Sequence, residues 1–228
     1  FMVLNKKEKL KIALLSTKKN PLLKRNIREI LKKNKIEFIA YDEKEDLRAK
    51  ILWKQRTRNR IPKIKLNKKI ESIFVSNHNN SSLVKLVKSK KIDLLISCSS
   101  PRIIKDELLS APKIGILNCH PGLLPYYRGC NCVEWALYNN DKVGNTCHLM
   151  TKNIDQGPII CSKIINIKKC KDYFDVRVAV YLESVKLISK AIEMIKKNNY
   201  KKKIKKGGKY WKIMNNLKLN EVINTFKK

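Results

Sequence analysis

Short apolar segments alternate with segments of helical periodicity through residues 9–119, and this alternation constrains the fold more than any other feature. Two of the intervening segments, 20–34 and 80–91, place apolar side chains at the spacing of an amphipathic helix. Strands that alternate with helices pair in parallel and are covered by those helices. The sequence therefore predicts an α/β fold with a mostly parallel sheet, whose strands lie at residues 9–16, 35–42, 71–77, 92–100 and 113–119.

Beyond residue 120 the pattern changes to segments that suit the edge of such a sheet. Residues 131–140 predict a further helix, and the apolar runs at 143–153 and 158–168 predict two strands that pair as an edge hairpin. A long amphipathic helix follows over residues 172–198, opened by Asp172. No linker interrupts these elements, so they are expected to belong to one domain.

Boundary signals give the domain organisation. Asn20 is predicted to cap the first helix, with Pro21 at the first helical position, and residues 43–60 predict either a helix or a mobile connector. No internal repeat is visible. We therefore expect one main domain over residues 2–200 and a short C-terminal extension over residues 201–228 that is not an independent domain.

The chain is strongly basic, with 52 lysine and arginine residues, 19 aspartate and glutamate residues and a formal net charge of +33. Such a charge suits a polyanionic partner or an anionic substrate, and it equally suits a biased composition with solvated lysine faces. The basic residues are spread along the whole chain, and aromatic residues make up only 7% of it. Nucleic acid is therefore not the expected partner, because its binding grooves interleave aromatic and basic residues.

Cysteine usage and hydropathy indicate the compartment. Seven cysteines occur without a CxxC pair, and Cys130 and Cys132 have no second pair at metal-binding spacing, so we expect reduced thiols and no bound metal. The chain has no run of about 18 apolar residues, and its first residues lack the features of a signal peptide. We expect a cytoplasmic protein with no membrane partner.

Three polar side chains in apolar surroundings are candidates for chemistry. Asn118 and His120 share one strand parity and project to the same side, whereas Cys119 between them points to the opposite, packed face. Asp155 lies in a turn between the two later strands. An amide can polarise a carbonyl oxygen, an imidazole can move a proton, and a carboxylate can orient the imidazole or accept a proton from an amine. Taken singly, each residue also has a structural explanation as a turn cap, a buried histidine or a turn former.

Two segments resemble a known family. The motif LNCHPGLLPYYRG at residues 117–129, followed by IDQGPII at residues 154–160, closely resembles the formyltransferases that use 10-formyltetrahydrofolate. Residues 92–165 fit the family almost continuously, and residues 10–91 fit it in the order of strands and helices. The resemblance implies a Rossmann-like catalytic domain with helices on both faces of the sheet, and an enzyme that transfers a formyl group from the folate to an amine.

The family's catalytic residues fall on the three candidate side chains. The resemblance implies that Asn118 holds the formyl oxygen, and that His120 stabilises the tetrahedral intermediate and helps to move its protons. Asp155 would keep His120 in the right state and help to deprotonate the incoming amine. These roles agree with those that the chemistry of the residues suggests.

The resemblance also implies which groups bind the folate donor. His148 falls where relatives often carry a histidine, and both a role in the site and a structural role stay open. In the family the donor is lined by two loops, which correspond here to Arg102, Ile103 and Ile104 and to the backbone of Lys152, Asn153 and Ile154.

The acceptor amine divides the family. Glycinamide ribonucleotide formyltransferases carry a Gly/Ser/Asn-rich phosphate loop after the first strand, where this chain has STKKNPLL at residues 16–23. Methionyl-tRNA formyltransferases carry a C-terminal barrel domain of about a hundred residues, whereas about thirty residues follow the long helix here. The segments HPGLLPYYRGCNCVEWAL and GGKYWKI most resemble the sugar-nucleotide N-formyltransferases, which formylate an amino-dideoxy sugar on a nucleoside diphosphate.

The expected function is therefore N-formylation of an NDP-linked amino-dideoxy sugar, a step in making surface polysaccharides such as O-antigen and lipopolysaccharide. The candidate substrate-binding residues are Tyr127, Arg128, Tyr210 and Trp211, with Tyr210 or Trp211 stacking on the base. Relatives of this class are often homodimers. Formylation of glycinamide ribonucleotide or methionyl-tRNA stays an alternative, as does a non-catalytic nucleic-acid binder, which would be expected to have lost the catalytic residues.

Overall fold

Short strands and helices alternate along the computed structural model, which describes residues 10–100, 102–200 and 207–226. The strands are β1 (Lys11–Ser16), β2 (Lys35–Asp42), β3 (Ser72–Val75), β4 (Leu94–Ser97), β5 (Gly115–His120), β6 (Tyr127–Gly129), β7 (Gly144–Leu149), β8 (Ile159–Ile164) and β9 (Lys209–Trp211). The helices are α1 (Leu23–Leu31), α2 (Asp46–Thr57), α3 (Ser81–Ser89), α4 (Asp106–Leu109), α5 (Cys132–Tyr138), α6 (Tyr173–Lys196) and α7 (Asn216–Thr225).

Seven strands form the main sheet in the order β3-β2-β1-β4-β5-β7-β8. The pairs among β1 to β5 are parallel, whereas β7 pairs antiparallel with both β5 and β8. The predicted mostly parallel sheet and the predicted edge hairpin are both confirmed. Because the strand order reverses direction between β1 and β4, a ligand is expected beyond the carboxyl ends of the strands near this point.

Alternate residues of the central strands supply two cores, one on each face of the sheet. On one face Ile12 and Leu14 pack against α1 and α6, and on the other face Ala13 and Leu15 pack against α3 and α4. All four side chains are fully buried, and each of the larger ones contributes roughly 2 kcal/mol through burial. The prediction of helices on both faces is confirmed, and Cys119 packs on the first face as expected.

The first helix begins later than the sequence predicts. α1 starts at Leu23, and its capping position is Leu22 rather than Asn20. The buried Asn20 amide donates to Cys98 O at 2.7 Å, while its Oδ1 accepts the Leu22 N–H at 2.8 Å. The predicted cap was wrong because Asn20 closes the β1–α1 loop onto the neighbouring β4, a tertiary contact that no local pattern contains.

The later elements follow the sequence more closely. Asp172 caps α6 as predicted, by accepting the Asp175 N–H at 3.0 Å, and residues 43–60 contain a helix, α2. In the described part of the C-terminal extension, residues 207–226, β9 pairs with β6 and α7 packs on α5. The domain division near residue 200 stays a prediction. No helix in the described ranges is long and apolar enough to cross a bilayer.

Candidate functional site

Two antiparallel strands bring the candidate side chains to the carboxyl edge of the sheet. Asn118 and His120 lie at the end of β5, and strand pairing sets His148 of β7 directly opposite Asn118. Asp155 lies in the β7–β8 loop with a φ of 55°, a left-handed conformation that aspartate tolerates better than most residues. The loop turns Asp155 back over the two strands, so that these four side chains, the Asp155 cluster, meet.

The carboxylate of Asp155 lies between two imidazoles. Its Oδ1 is 3.5 Å from Nδ1 of His120 and 3.6 Å from Nε2 of His148, and its Oδ2 accepts the Gly129 N–H at 2.8 Å. The side chains of His120 and Asp155 are only 6% and 10% exposed. At this degree of burial, water screens the carboxylate weakly, so it can stabilise a positive charge on His120 when that ring takes up a proton.

The main chain of β6 orients the ring of His120. Nε2 of His120 donates a hydrogen bond to Tyr127 O at 2.8 Å, and Nδ1 of the same ring therefore faces Asp155. Gly122 permits this contact, because a Cβ at that position would lie 2.7 Å from both Nε2 of His120 and the Tyr127 oxygen. The sequence signal for this feature is the glycine that follows His-Pro in the motif.

His148 belongs to the site through Asn118. Burial lowers the pKa of His148 to about 4, although the charge of Asp155 opposes this shift. The ring is therefore neutral near pH 7, and it donates from Nδ1 to Leu149 O at 3.2 Å. Its Nε2 accepts from Nδ2 of Asn118 at 3.3 Å. The amide of Asn118 has two N–H groups, so one remains for a ligand oxygen.

The glycine two residues after Asp155 closes the β7–β8 loop. A Cβ on Gly157 would lie 1.7 Å from Leu149 O, so a side chain there would push the loop away from β7. The Gln156 N–H donates to Asn153 O at 3.2 Å and completes the turn. The Asp-x-Gly spacing of the motif is thus the spacing that brings Asp155 over the strands.

The residues predicted to bind the folate lie in different environments. Ile103 and Ile154 are 72% and 40% exposed, whereas the Ile104 side chain is buried in the core beside Leu108. Ile104 therefore offers little surface to a ligand. An open cavity of about 370 Å³ at the end of α4 is lined by Asp106, Leu109, Ser110, Thr151 and Lys152.

A second polar cluster, the Asp42 cluster, lies at the carboxyl ends of β2 and β4. The fully buried Asp42 carboxylate accepts hydrogen bonds from Nε and an NH2 group of Arg102 and from the main-chain N–H of His78. The His78 ring contacts Ala40 O at 3.1 Å and Ser100 Oγ at 2.9 Å, and burial lowers its pKa. The guanidinium of Arg102 is thus engaged by protein, and sequence reasoning missed the cluster because its members come from the end of β2 and from two separate loops.

The predicted acceptor-binding aromatics differ in how far protein covers them. The hydroxyl of the buried Tyr127 donates to Asp141, and its ring stacks on Trp211 with centroids 5.4 Å apart. Trp211 also packs on Trp135 at 4.8 Å. Tyr210 is 45% exposed. Of the two aromatics predicted to stack on a base, Tyr210 therefore has the more accessible ring.

Arg128 lies on β6, next to Tyr127, and carries an unused donor. One NH2 group of its guanidinium donates to Gly208 O at 3.0 Å. Its Nε is buried and has no hydrogen-bond partner among the residues that the structure describes. An uncompensated buried donor is costly, so any acceptor that reached this atom would be stabilising.

A larger cavity of about 530 Å³ lies at the amino end of β2, between α1 and residues 68–71, and contains none of the candidate residues. Among residues 10–100, 102–200 and 207–226, no group of three or more His, Cys, Asp or Glu side chains could hold a metal ion. The Asp155 cluster is therefore the candidate active site.

Comparison with known proteins gives a family match over most of the chain. A family model described as formyl transferase matches residues 10–192. The bifunctional polymyxin resistance protein ArnA of Wigglesworthia glossinidia brevipalpis is 33% identical over 139 residues, 60% of this chain and 21% of that protein. The methionyl-tRNA formyltransferase of Borrelia hermsii is 34% identical over 121 residues, 53% of this chain and 39% of that protein. The chain thus spans less than half the length of these curated relatives.

Solved structures share the fold. Glycinamide ribonucleotide transformylase 1 from Symbiobacterium toebii matches with a TM-score of 0.65 and 18% identity, over 83% of this chain and 89% of that chain. A sugar N-formyltransferase from Shewanella sp FDAARGOS_354 matches with a TM-score of 0.62 and 21% identity, over 88% of this chain and 76% of that chain. At these identities the likeness is one of fold, and it confirms the predicted Rossmann-like architecture.

Proposed function

This chain belongs to the formyl transferase family, as its motifs predict, and we propose that it transfers a formyl group from 10-formyltetrahydrofolate to the amine of an NDP-linked amino-dideoxy sugar. One observation carries the proposal: the amide of Asn118, the imidazole of His120 and the carboxylate of Asp155 meet at the carboxyl edge of the sheet. Formyl transfer to an amine needs a donor to the carbonyl oxygen, a proton carrier and a base.

Asn118 is suited to hold the formyl oxygen. One N–H of its amide is directed at His148, and the other is available to an oxygen that gains negative charge as the amine adds to the carbonyl carbon. An amide keeps its protons at neutral pH, so it can stabilise that charge throughout the reaction. The neutral, buried His148 holds the amide in this orientation.

His120 and Asp155 are suited to move the proton of the amine. As the new C–N bond forms, the attacking nitrogen becomes positively charged and must lose a proton, and the departing folate nitrogen must gain one. Asp155 Oδ1 lies 3.5 Å from Nδ1 of His120, so the pair can accept the first proton and deliver the second. One proton is taken up and one is released, and both side chains end each turnover in their starting state.

The donor is expected to lie along α4 and the loop before Asp155. Exposed apolar side chains such as Ile103 and Ile154 are the kind of surface that a planar heterocycle covers. Lys152 lines the open cavity at the end of α4, and its charge suits the carboxylates of a folate. Arg102 would contribute main-chain groups, because Asp42 engages its guanidinium.

The β1–α1 loop disfavours glycinamide ribonucleotide as the acceptor. The loop contains no glycine, and the N–H groups of Lys19, Asn20 and Leu22 donate to Asp46, Thr17 and Asn20. A phosphate cradle needs main-chain N–H groups that are free to point at the ligand. These three are not free.

Arg128 and Tyr210 favour a nucleotide-linked sugar. They are neighbours in the register of β6 and β9, so one ligand can contact both. The buried Nε of Arg128 would gain its acceptor from a diphosphate oxygen, and the exposed ring of Tyr210 would stack on the base. The amine of the sugar would then reach the Asp155 cluster from the side of β6.

An acceptor panel tests the proposal. The protein is incubated with 10-formyltetrahydrofolate and with NDP-4-amino sugars, NDP-3-amino sugars, glycinamide ribonucleotide or methionyl-tRNA, and products are identified by mass spectrometry. We expect formylation of an amino sugar. Formylation of only the ribonucleotide or the tRNA would refute the proposed amino-sugar acceptor. Salt-dependent RNA binding without turnover would refute the proposed formyltransferase activity. A cytoplasmic location, a homodimer and a role in O-antigen or lipopolysaccharide synthesis stay predictions.

A further inference from the structure

The short strand β6 touches both members of the proposed proton relay through its main chain. The carbonyl of Tyr127 accepts from Nε2 of His120 at 2.8 Å, and the N–H of Gly129 donates to Oδ2 of Asp155 at 2.8 Å. The position of β6 therefore sets the orientation of the imidazole and of the carboxylate together.

β6 lies outside the main sheet and pairs with the segment at residues 207–212, which we call the C-terminal strap. β9, within the strap, runs parallel to β6, and Trp211 O accepts the Cys130 N–H at 2.9 Å. Gly208 approaches the chain before β6 so closely that a Cβ would lie 1.8 Å from Pro125 O. The strap thus contacts the main chain on both sides of β6.

Trp211 attaches the strap to the body of the protein. Its ring stacks on Tyr127 at 5.4 Å with an interplanar angle of 9°, and it packs on Trp135 at 4.8 Å. Its indole N–H donates to Tyr126 O at 3.2 Å, and the indole N–H of Trp135 donates to Lys212 O at 2.9 Å. Both tryptophans therefore connect the strap to β6 and α5.

We propose that the C-terminal strap is a positioning element of the formyl-transfer site, with Trp211 as its principal positioning residue. The proposal rests on the proposed function, because it concerns the proton relay of that reaction. When the strap is loosened, β6 shifts and moves the partners of His120 and Asp155 with it. A misplacement of about 1 Å between reacting groups costs about a hundredfold in rate.

An ordinary core role for Trp211 leads to different results. Trp211 packs against an apolar cluster of α5 and α6, so its truncation lowers the midpoint of thermal unfolding in either case. A core role leaves kcat per folded molecule, and the pH dependence of kcat, unchanged. Trp53 offers a matched control, because it is also half-buried and packs on an aromatic ring, Tyr181, at 4.4 Å without contacting β6.

The first test compares full-length Trp211→Ala, Trp211→Phe and Trp53→Ala at a temperature where circular dichroism shows each to be folded. We expect Trp211→Ala to lower kcat about a hundredfold, with the donor KM within about threefold, and to shift the pH profile of kcat. Trp211→Phe keeps the stacking and restores most of kcat, and Trp53→Ala keeps the wild-type kcat. A wild-type kcat in folded Trp211→Ala overturns the proposal.

The second test needs no substrate. The ring nitrogens of His120 are followed by ¹⁵N NMR, with the signals assigned through His120→Gln. We expect the hydrogen-bonded Nε2–H signal of the wild type to weaken or shift in Trp211→Ala and to stay in Trp53→Ala. An unchanged signal in Trp211→Ala overturns the proposal that the C-terminal strap positions His120. Suppose that the wild type formylates no acceptor, while the Nε2–H signal still changes in Trp211→Ala and not in Trp53→Ala. This result refutes the proposed function and supports the positioning role of the C-terminal strap.

Discussion

Two clusters at the same edge of the sheet each combine a histidine with an aspartate, and they differ in what is left unpaired. In the Asp42 cluster the carboxylate is fully buried and held by Arg102, and both ring nitrogens of His78 contact protein oxygens. In the Asp155 cluster Oδ1 of Asp155 lies 3.5 Å and 3.6 Å from its two imidazoles. The half-buried Asn118 keeps one N–H for a ligand.

A histidine–aspartate pair at a strand end is therefore not by itself an active site. A cluster in which protein groups use every donor and acceptor holds loops together, because it can form no further hydrogen bond with a ligand. A cluster with spare hydrogen-bonding capacity can form interactions that strengthen in a transition state. The Asp155 cluster meets this condition at Asn118, whereas the carboxylate of Asp42 and both ring nitrogens of His78 are already engaged by protein groups.

The largest expected effect falls on turnover. We expect Asn118→Ala and His120→Ala each to lower kcat about 10³-fold, because each removes an interaction that strengthens in the transition state. Donor affinity changes little, since the ground state uses these groups weakly. Steady-state kinetics and the dissociation constant of the donor check this. An equal loss of donor affinity with no further loss of rate would show that the two residues are structural.

The sequence predicted the Asp155 cluster better than it predicted its surroundings. Asn118, His120 and Asp155 sit in local motifs whose spacing is set by one strand and one tight turn, so a linear pattern contains them. His148 was left undecided because its contact with Asn118 depends on the register of β5 and β7. The register between two strands depends on both of them, so the sequence of one strand alone does not predict it.

Tertiary contacts also explain the other differences. Asn20 has the residue type of a helix cap, but its burial against β4 takes its side chain out of that role. Arg102 lies in the loop that the family resemblance pointed to, yet a buried partner on β2 engages its guanidinium. The C-terminal strap reaches β6 through parallel pairing, which no local periodicity reveals. Strand and helix order was predictable because it follows from local hydrophobic periodicity.

Acid pH should destabilise the protein through both clusters, so the pH dependence of stability does not distinguish one cluster from the other. Burial lowers the pKa of His148 to about 4 and also lowers that of His78. The unfolded state, with a histidine pKa of about 6.5, binds more protons below that value, so stability falls as the pH drops from about 6.5 to about 4. For His148 the loss is about 3 kcal/mol.

Urea unfolding of the wild type, His148→Gln and His78→Gln at pH 7 and pH 4.5 measures this effect. Each variant should lose less unfolding free energy than the wild type on acidification, because it removes one group that must be protonated. A pH dependence identical to that of the wild type in both variants would show that neither histidine is held neutral by the fold.

A smaller loss of stability should follow from breaking the Asp42 cluster. Arg102→Met leaves the buried Asp42 carboxylate without its guanidinium, and we expect a loss of about 2 kcal/mol, below the value for a fully buried pair, because Arg102 is 24% exposed. The donor KM should change by less than about threefold. A large rise in donor KM with unchanged stability would mean that the guanidinium binds the folate instead.

The smallest expected effect concerns acceptor binding. Tyr210→Ala removes a stacking surface worth about 1 kcal/mol, so the KM for the nucleotide sugar should rise about fivefold while kcat stays close to the wild-type value. Leu217→Ala, which truncates an 83% exposed side chain on α7, serves as the control and should leave both constants unchanged. A fall in kcat with no change in KM would contradict a binding role for Tyr210.

The central claim is that the Asp155 cluster is the site of formyl transfer and the Asp42 cluster is not, and a pair of matched substitutions tests it in one assay. Asp155→Asn and Asp42→Asn are compared in kcat per folded molecule with 10-formyltetrahydrofolate and the best amino-sugar acceptor. We predict that Asp155→Asn loses about 10³-fold in kcat, whereas Asp42→Asn loses stability and keeps kcat within about twofold. A wild-type kcat in Asp155→Asn, or an equal loss in Asp42→Asn, would contradict the claim.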